Sequence, residues 1–81
     1  MNTGYMTATD LTVLVFRTNI RFKKDLKQVG PALDKHPGIQ RWSVDREDTD
    51  KVLRIESQTL QANEVIRLVN EAGFECGELP E

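Results

Sequence analysis

The chain predicts a small α+β domain with the element order β-α-β-β-α-β, a four-stranded antiparallel sheet carrying two helices on one face. Three observations carry that reading. The run LTVLVFRT is strand-like and apolar on both faces; two stretches repeat apolar residues at helical spacing; and two alternating runs flank the short polar link REDTD. With 81 residues there is room for one modest core and no second domain. We expect a loose tail over residues 1–10 and a single domain over residues 11–81, because the first ten residues lack periodicity.

Leu11 to Thr18 forms the first strand. Leu11, Val13 and Val15 alternate with Leu14, Phe16 and Thr18, so both faces are apolar in the middle, as in a strand inside a sheet. Asn19 to Asp25 bridges to a helix whose apolar face is Phe22, Leu26, Val29 and Leu33, at steps of 4, 3 and 4. Pro31 falls inside this pattern, which predicts a kink or break near residues 27–30 or a second short helix starting at the proline. His36-Pro37-Gly38 closes the element. Ile39 to Asp45 is the second strand, with Trp42 and Val44 on one face, and Lys51 to Glu56 the third, so the two form a hairpin. The second helix runs from Ala62 to Ala72 on a stripe of Val65, Ile66, Leu68, Val69 and Ala72, and Gly73 ends it. Phe74 to Leu79 supplies a last strand, and Pro80 stops it. Right-handed crossovers put the first and third strands in the centre of the sheet. This is the ferredoxin-like arrangement.

Composition narrows the function. Apolar residues make up 38% and charged residues 30% of the chain, with a net charge of −2, which fits a folded soluble domain and argues against indiscriminate nucleic-acid binding. The longest apolar run, Val13 to Phe16, is far short of the ~18 residues of a membrane span. The N-terminus lacks a basic-then-apolar secretion pattern, and one cysteine cannot make an internal disulfide. We therefore expect a cytoplasmic protein with no membrane contact and no nucleic-acid partner.

Four segments, VLVFRTNI, PALDKHPGIQRWSVD, KVLRIES and EVIRLVNEAGFE, together resemble the heavy-metal-associated (HMA) domain family, which includes copper chaperones. The resemblance spans roughly residues 12–79 and keeps the Gly38-Ile39, Val44-Asp45 and Ala72-Gly73-Phe74 positions in register. It implies the ferredoxin-like fold, and a metal loop of the form Met-X-Cys-X-X-Cys between the first strand and the first helix. The matching stretch here is Ile20-Arg21-Phe22-Lys23-Lys24-Asp25, with Phe22 and Asp25 where the cysteines would stand. Two thiolates suit a soft ion such as copper(I); phenylalanine has no donor, and a lone carboxylate is a hard ligand. The metal role therefore does not transfer with the fold, and no cofactor is implied.

Individual residues divide between two readings each. Cys76 is either a small strand residue or a lone metal ligand or redox thiol, and Asp25 is the only other candidate ligand at the loop. His36 sits at a helix end, where a cation suits the dipole, and Trp42 is a core anchor or a contact residue. Arg17, Arg21, Lys23, Lys24 and Lys27 place five of eleven basic residues in one short window. Cations at a helix start oppose its dipole. They form either a solvated charged face or, at Arg21, Lys23, Lys24 and Lys27, a site for an anion or for carboxylates on a partner. The sheet's uncovered face would show Val13, Val15, Val52 and Arg54, a small apolar patch that could meet a partner or a second copy.

An enzyme is not indicated. One histidine at a helix end supports no Ser-His-Asp set, and no glycine-rich phosphate loop is present. Arg17, Asn19 and Arg21 resemble an acylphosphatase pair only superficially. The sequence reading is a non-enzymatic HMA-type domain that has lost its metal-binding cysteines and serves as a protein-interaction or regulatory module, with a protein partner or a homodimer. The alternatives are residual metal binding through Cys76 and anion or small-ligand sensing at the basic loop.

Overall fold

The computed structural model describes residues 11–79. Strand β1 (Thr12–Thr18) lies between β3 (Val52–Ser57) and β4 (Cys76–Glu78), and β2 (Arg41–Asp45) pairs with the outer side of β3. The sheet order is β2-β3-β1-β4 with every pair antiparallel. Helices α1 (Lys23–Asp34) and α2 (Ala62–Glu71) fill the crossover positions. The doubly apolar β1 is central, as its sequence requires.

The register explains which side chains face the helices. Phe16 pairs with Leu53 and Leu14 with Ile55, and residues directly opposite in an antiparallel pair share a face. Phe16, Leu53 and Ile55 meet Val29 and Leu33 of α1, Val65 and Val69 of α2, and Ile20 from the loop in one fully buried core. Ser57 is the buried polar member; its Oγ accepts the N–H groups of Thr59 and Leu60 at 3.1 and 2.9 Å and turns the chain into α2. Gly73 takes φ +102° just beyond α2, the left-handed geometry a helix stop needs.

Four expectations are corrected. α1 has no break near residues 27–30 and no second helix starts at Pro31, because the proline sits in the last turn on the exposed side, so the one backbone bond it removes leaves a carbonyl that water can reach. Phe22 is not on the buried face: it is the N-cap residue, with extended backbone, and is 57% exposed. β4 covers three residues instead of six, since Phe74 and Glu75 are used in leaving α2. Val52 is only 5% exposed, so the open sheet face offers Val13, at 46%, and half-buried Val15, a smaller apolar patch than the alternation predicts. The tail over residues 1–10 and the stop at Pro80 lie outside the described residues.

Trp42 is half-buried against α1. Its ring passes so close to Gly30 that a Cβ there would stand 3.4 Å from Cζ2, and its Nε1 donates to Asp34 Oδ1 at 2.7 Å. It is therefore an anchor between β2 and α1.

Candidate functional site

The loop between β1 and α1 is fixed from three sides. Ile20 inserts into the core with no exposed surface, and Thr18 Oγ1 accepts the N–H of Ile20 at 3.1 Å while donating to the Lys51 carbonyl at 2.7 Å. Asn19 Oδ1 accepts the N–H of Glu75 at 2.9 Å. The loop is thus tied to the start of β3 and to the segment entering β4 before any partner is considered.

At its exposed tip, Asp25 acts as a helix cap. Its Oδ2 accepts the backbone N–H groups of Phe22 and Arg21, both at 3.0 Å, and so satisfies donors that a helix start leaves without intrahelical partners. The N–H of Phe22 is the main cause that holds this carboxyl below its ordinary value of 3.8, helped by the Arg21 N–H and by the charges of Lys24 and Arg21. Lys24 Nζ lies 5.7 Å from the centre of the Phe22 ring, within range of a cation–π contact. Arg21, Lys23, Lys24 and Lys27 are all exposed. Arg46 of the β2–β3 turn joins them: its guanidinium donates to the Arg21 carbonyl at 3.5 Å. Sequence reading missed Arg46.

Arg17 does not belong to this cluster. It pairs with Gly77 in the β1–β4 ladder, and its guanidinium lies where a side chain on Gly77 would be, 3.0 Å from the position of that Cβ. His36 is used locally, its Nδ1 accepting the Gly38 N–H at 2.9 Å.

Cys76 stands opposite Thr18, half-buried against the core. Burial pushes its thiol up from 9.0 to about 11, against a small opposing pull from Arg17. It lines a cavity of about 220 Å³ with Arg17, Thr18, Thr49, Asp50 and Glu75. A thiol that stays protonated at neutral pH is a poor ligand and a poor nucleophile. Among the described residues, no three His, Cys, Asp or Glu side chains come together as a ligand set.

No protein-family model matches the sequence, and no curated protein matches it. Solved structures do match in shape. The apo HMA domain of a copper chaperone for superoxide dismutase is similar at TM-score 0.73 and 21% identity, over 86% of this chain and 68% of that one. The copper(I)-loaded first domain of the human copper chaperone for SOD1 is similar at TM-score 0.70 and 23% identity, over 82% and 89%. This chain has the fold of an HMA domain. Oxidized MerP from Ralstonia metallidurans CH34 adds a third instance at TM-score 0.73 and 11% identity, over 86% and 99%.

On that HMA-like fold, the loop in this chain does not fit a copper ion. Phe22 offers no donor, Asp25 is a hard carboxylate whose Oδ2 already accepts two backbone N–H groups, and the chain has no second thiol to complete a soft two-sulfur site. Exposed cations surround the position instead. Among the described residues, no helix is long and apolar enough to cross a membrane.

Proposed function

We propose that this HMA-like domain is non-enzymatic, has given up metal carriage, and works as a protein-interaction module whose docking surface is the basic loop and the start of α1. The observation that carries the reading is that the exposed Arg21, Lys23, Lys24 and Lys27 stand together on the loop and the start of α1, that Arg46 reaches this loop at the Arg21 carbonyl, and that the loop's own carboxylate, Asp25, is already engaged by the backbone. Cations gathered at a helix start work against the helix dipole, so fold stability does not account for them. Carboxylates on a partner protein would: charge-assisted bonds to Arg and Lys are stronger than neutral ones, and complementary charge raises the association rate. A cytoplasmic setting is part of the proposal and rests on the single unpaired cysteine.

The test is an NMR titration of the 81-residue chain with a glutamate-rich peptide, repeated with the Lys23→Glu/Lys24→Glu variant. The proposal predicts shifts at the amides of residues 20–27 and 46 that weaken as salt is raised and vanish in the variant. Equal binding by the variant, with its fold intact, would overturn it.

A further inference from the structure

The two edges of the sheet are unequal. β4 spans three residues, whereas β2 spans five and is paired with β3 along its whole length. Among the described residues nothing pairs with the outer side of β2. An unpaired edge is a row of N–H and C=O groups that another strand can join, and proteins commonly blunt it with proline or with like-charged side chains, lysine above all. The β2 sequence, Arg41-Trp42-Ser43-Val44-Asp45, has no proline or lysine, and its two charges are of opposite sign.

This strand is complementary to itself. In an antiparallel meeting of two copies with Ser43 opposite Ser43, Arg41 of each copy faces Asp45 of the other, and Trp42 of each faces Val44 of the other. Arg41, Ser43 and Asp45 are exposed and alternate with the half-buried Trp42 and Val44, so charged groups meet on the open face and apolar groups on the helix face. Sliding either copy by two residues leaves an arginine or an aspartate opposite serine. Sliding by four sets arginine against arginine or aspartate against aspartate. Only the register centred on Ser43 pairs both charges twice. Asp45 uses Oδ1 to accept the Glu47 N–H at 3.2 Å, which leaves Oδ2 for a guanidinium. Glu56 lies across from Arg41 on the inner side and can share that guanidinium without replacing Asp45.

We propose that the β2 edge binds a second copy of this chain across a two-fold axis at Ser43, joining two four-stranded sheets into one. The proposal is independent of the basic-loop reading. A five-residue edge buries far less than the ~1,200 Å² of a stable interface, so the dimer is weak and depends on concentration.

Sedimentation of the whole chain over a series up to about 1 mM tests it, with the range set by that small contact. The parent is expected to rise from 9.2 kDa toward twice that mass. Arg41→Asp leaves two aspartates at the paired positions and Asp45→Arg leaves two arginines, so each alone should associate at least ~10-fold more weakly. An equimolar mixture of the two, and the double variant Arg41→Asp/Asp45→Arg, restore opposite charges and should recover association. A variant that failed to fold could not be rescued by mixing, so the mixture separates the proposal from simple loss of structure. A parent that stays at 9.2 kDa, single variants that associate like the parent, or folded variants whose mixture stays monomeric would each overturn it.

Discussion

Lys23 is the first residue of α1 and Lys24 the second, yet charge reversal at the two should give different results. A helix N-terminus carries roughly half a positive charge; a cation there is unfavourable, and an anion favourable, by ~0.3–1 kcal/mol each. Lys23→Glu exchanges one for the other and should stabilise the domain by about 1 kcal/mol, since no contact of the Lys23 side chain is given up. For a domain this size that is a rise in Tm of ~4–8 °C. Lys24→Glu gains the same dipole term but loses the contact with the Phe22 ring, worth about 0.5–1 kcal/mol at an exposed site. It also replaces a charge that favours ionised Asp25 with one that opposes it. Its net effect should be near zero. Thermal melts followed by circular dichroism in ~10 mM salt and in 1 M salt, where the screening length falls from ~30 to ~3 Å, distinguish the cases. A Tm that drops in Lys23→Glu, or a gain that survives 1 M salt, would refute the dipole argument and with it the claim that these lysines oppose the fold.

Three further outcomes follow from the geometry. Gly30→Ala should not show the ~0.5–1 kcal/mol gain that alanine brings elsewhere in a helix, because a Cβ on a helical residue before proline meets the Pro31 Cδ, although the same Cβ would only touch Trp42 Cζ2, at 3.4 Å; denaturant melts check it. Alkylation of Cys76 in the native protein should accelerate toward pH 11 and not near 9.0, matching its raised thiol. By linkage, the stabilising effect of the folded state's tighter hold on that proton is complete below pH 9.0 and is lost as pH rises toward about 11, so the parent should lose stability over that interval relative to Cys76→Ser. For Asp25 the sign is opposite: its cap is present above pH 3.8 and is lost as pH falls below that value through the lowered one, so the amides of Arg21 and Phe22 should lose protection in acid, and should show no such dependence in Asp25→Asn.

The fold was legible because its signals are local periodicities. The two-faced apolar run of β1 gives a central strand, and the Val65–Ala72 stripe with Gly73 gives a helix and its end. Phe22 misled because position 22 fits the spacing of the α1 stripe, while the decisive signal, an acidic residue three positions on at Asp25, marks it as the cap. Pro31 misled because the penalty for an interior proline depends on how much helix follows, and here only three residues do. Val52 shows that burial on an open sheet face is set by neighbours that alternation cannot supply.

The site was half legible. The cations of residues 21–27 stand together in the sequence, but Arg46 comes from a turn 25 residues further on. Strand direction could have found it: in this topology β1 ends, and the β2–β3 hairpin turns, at the same end of the sheet. The capping role of Asp25 was open to the same capping-box reading that Phe22 escaped. The raised thiol of Cys76 was not legible, since it follows from burial beside Thr18 and not from sequence neighbours.

We propose that this HMA-like fold does not carry metal. The direct measurement is a titration of the reduced protein with copper(I) against a competing chelator, alongside Cys76→Ser. Neither protein should take copper from the chelator. Tight binding by the parent that disappears in Cys76→Ser would contradict it and place a metal site at that thiol.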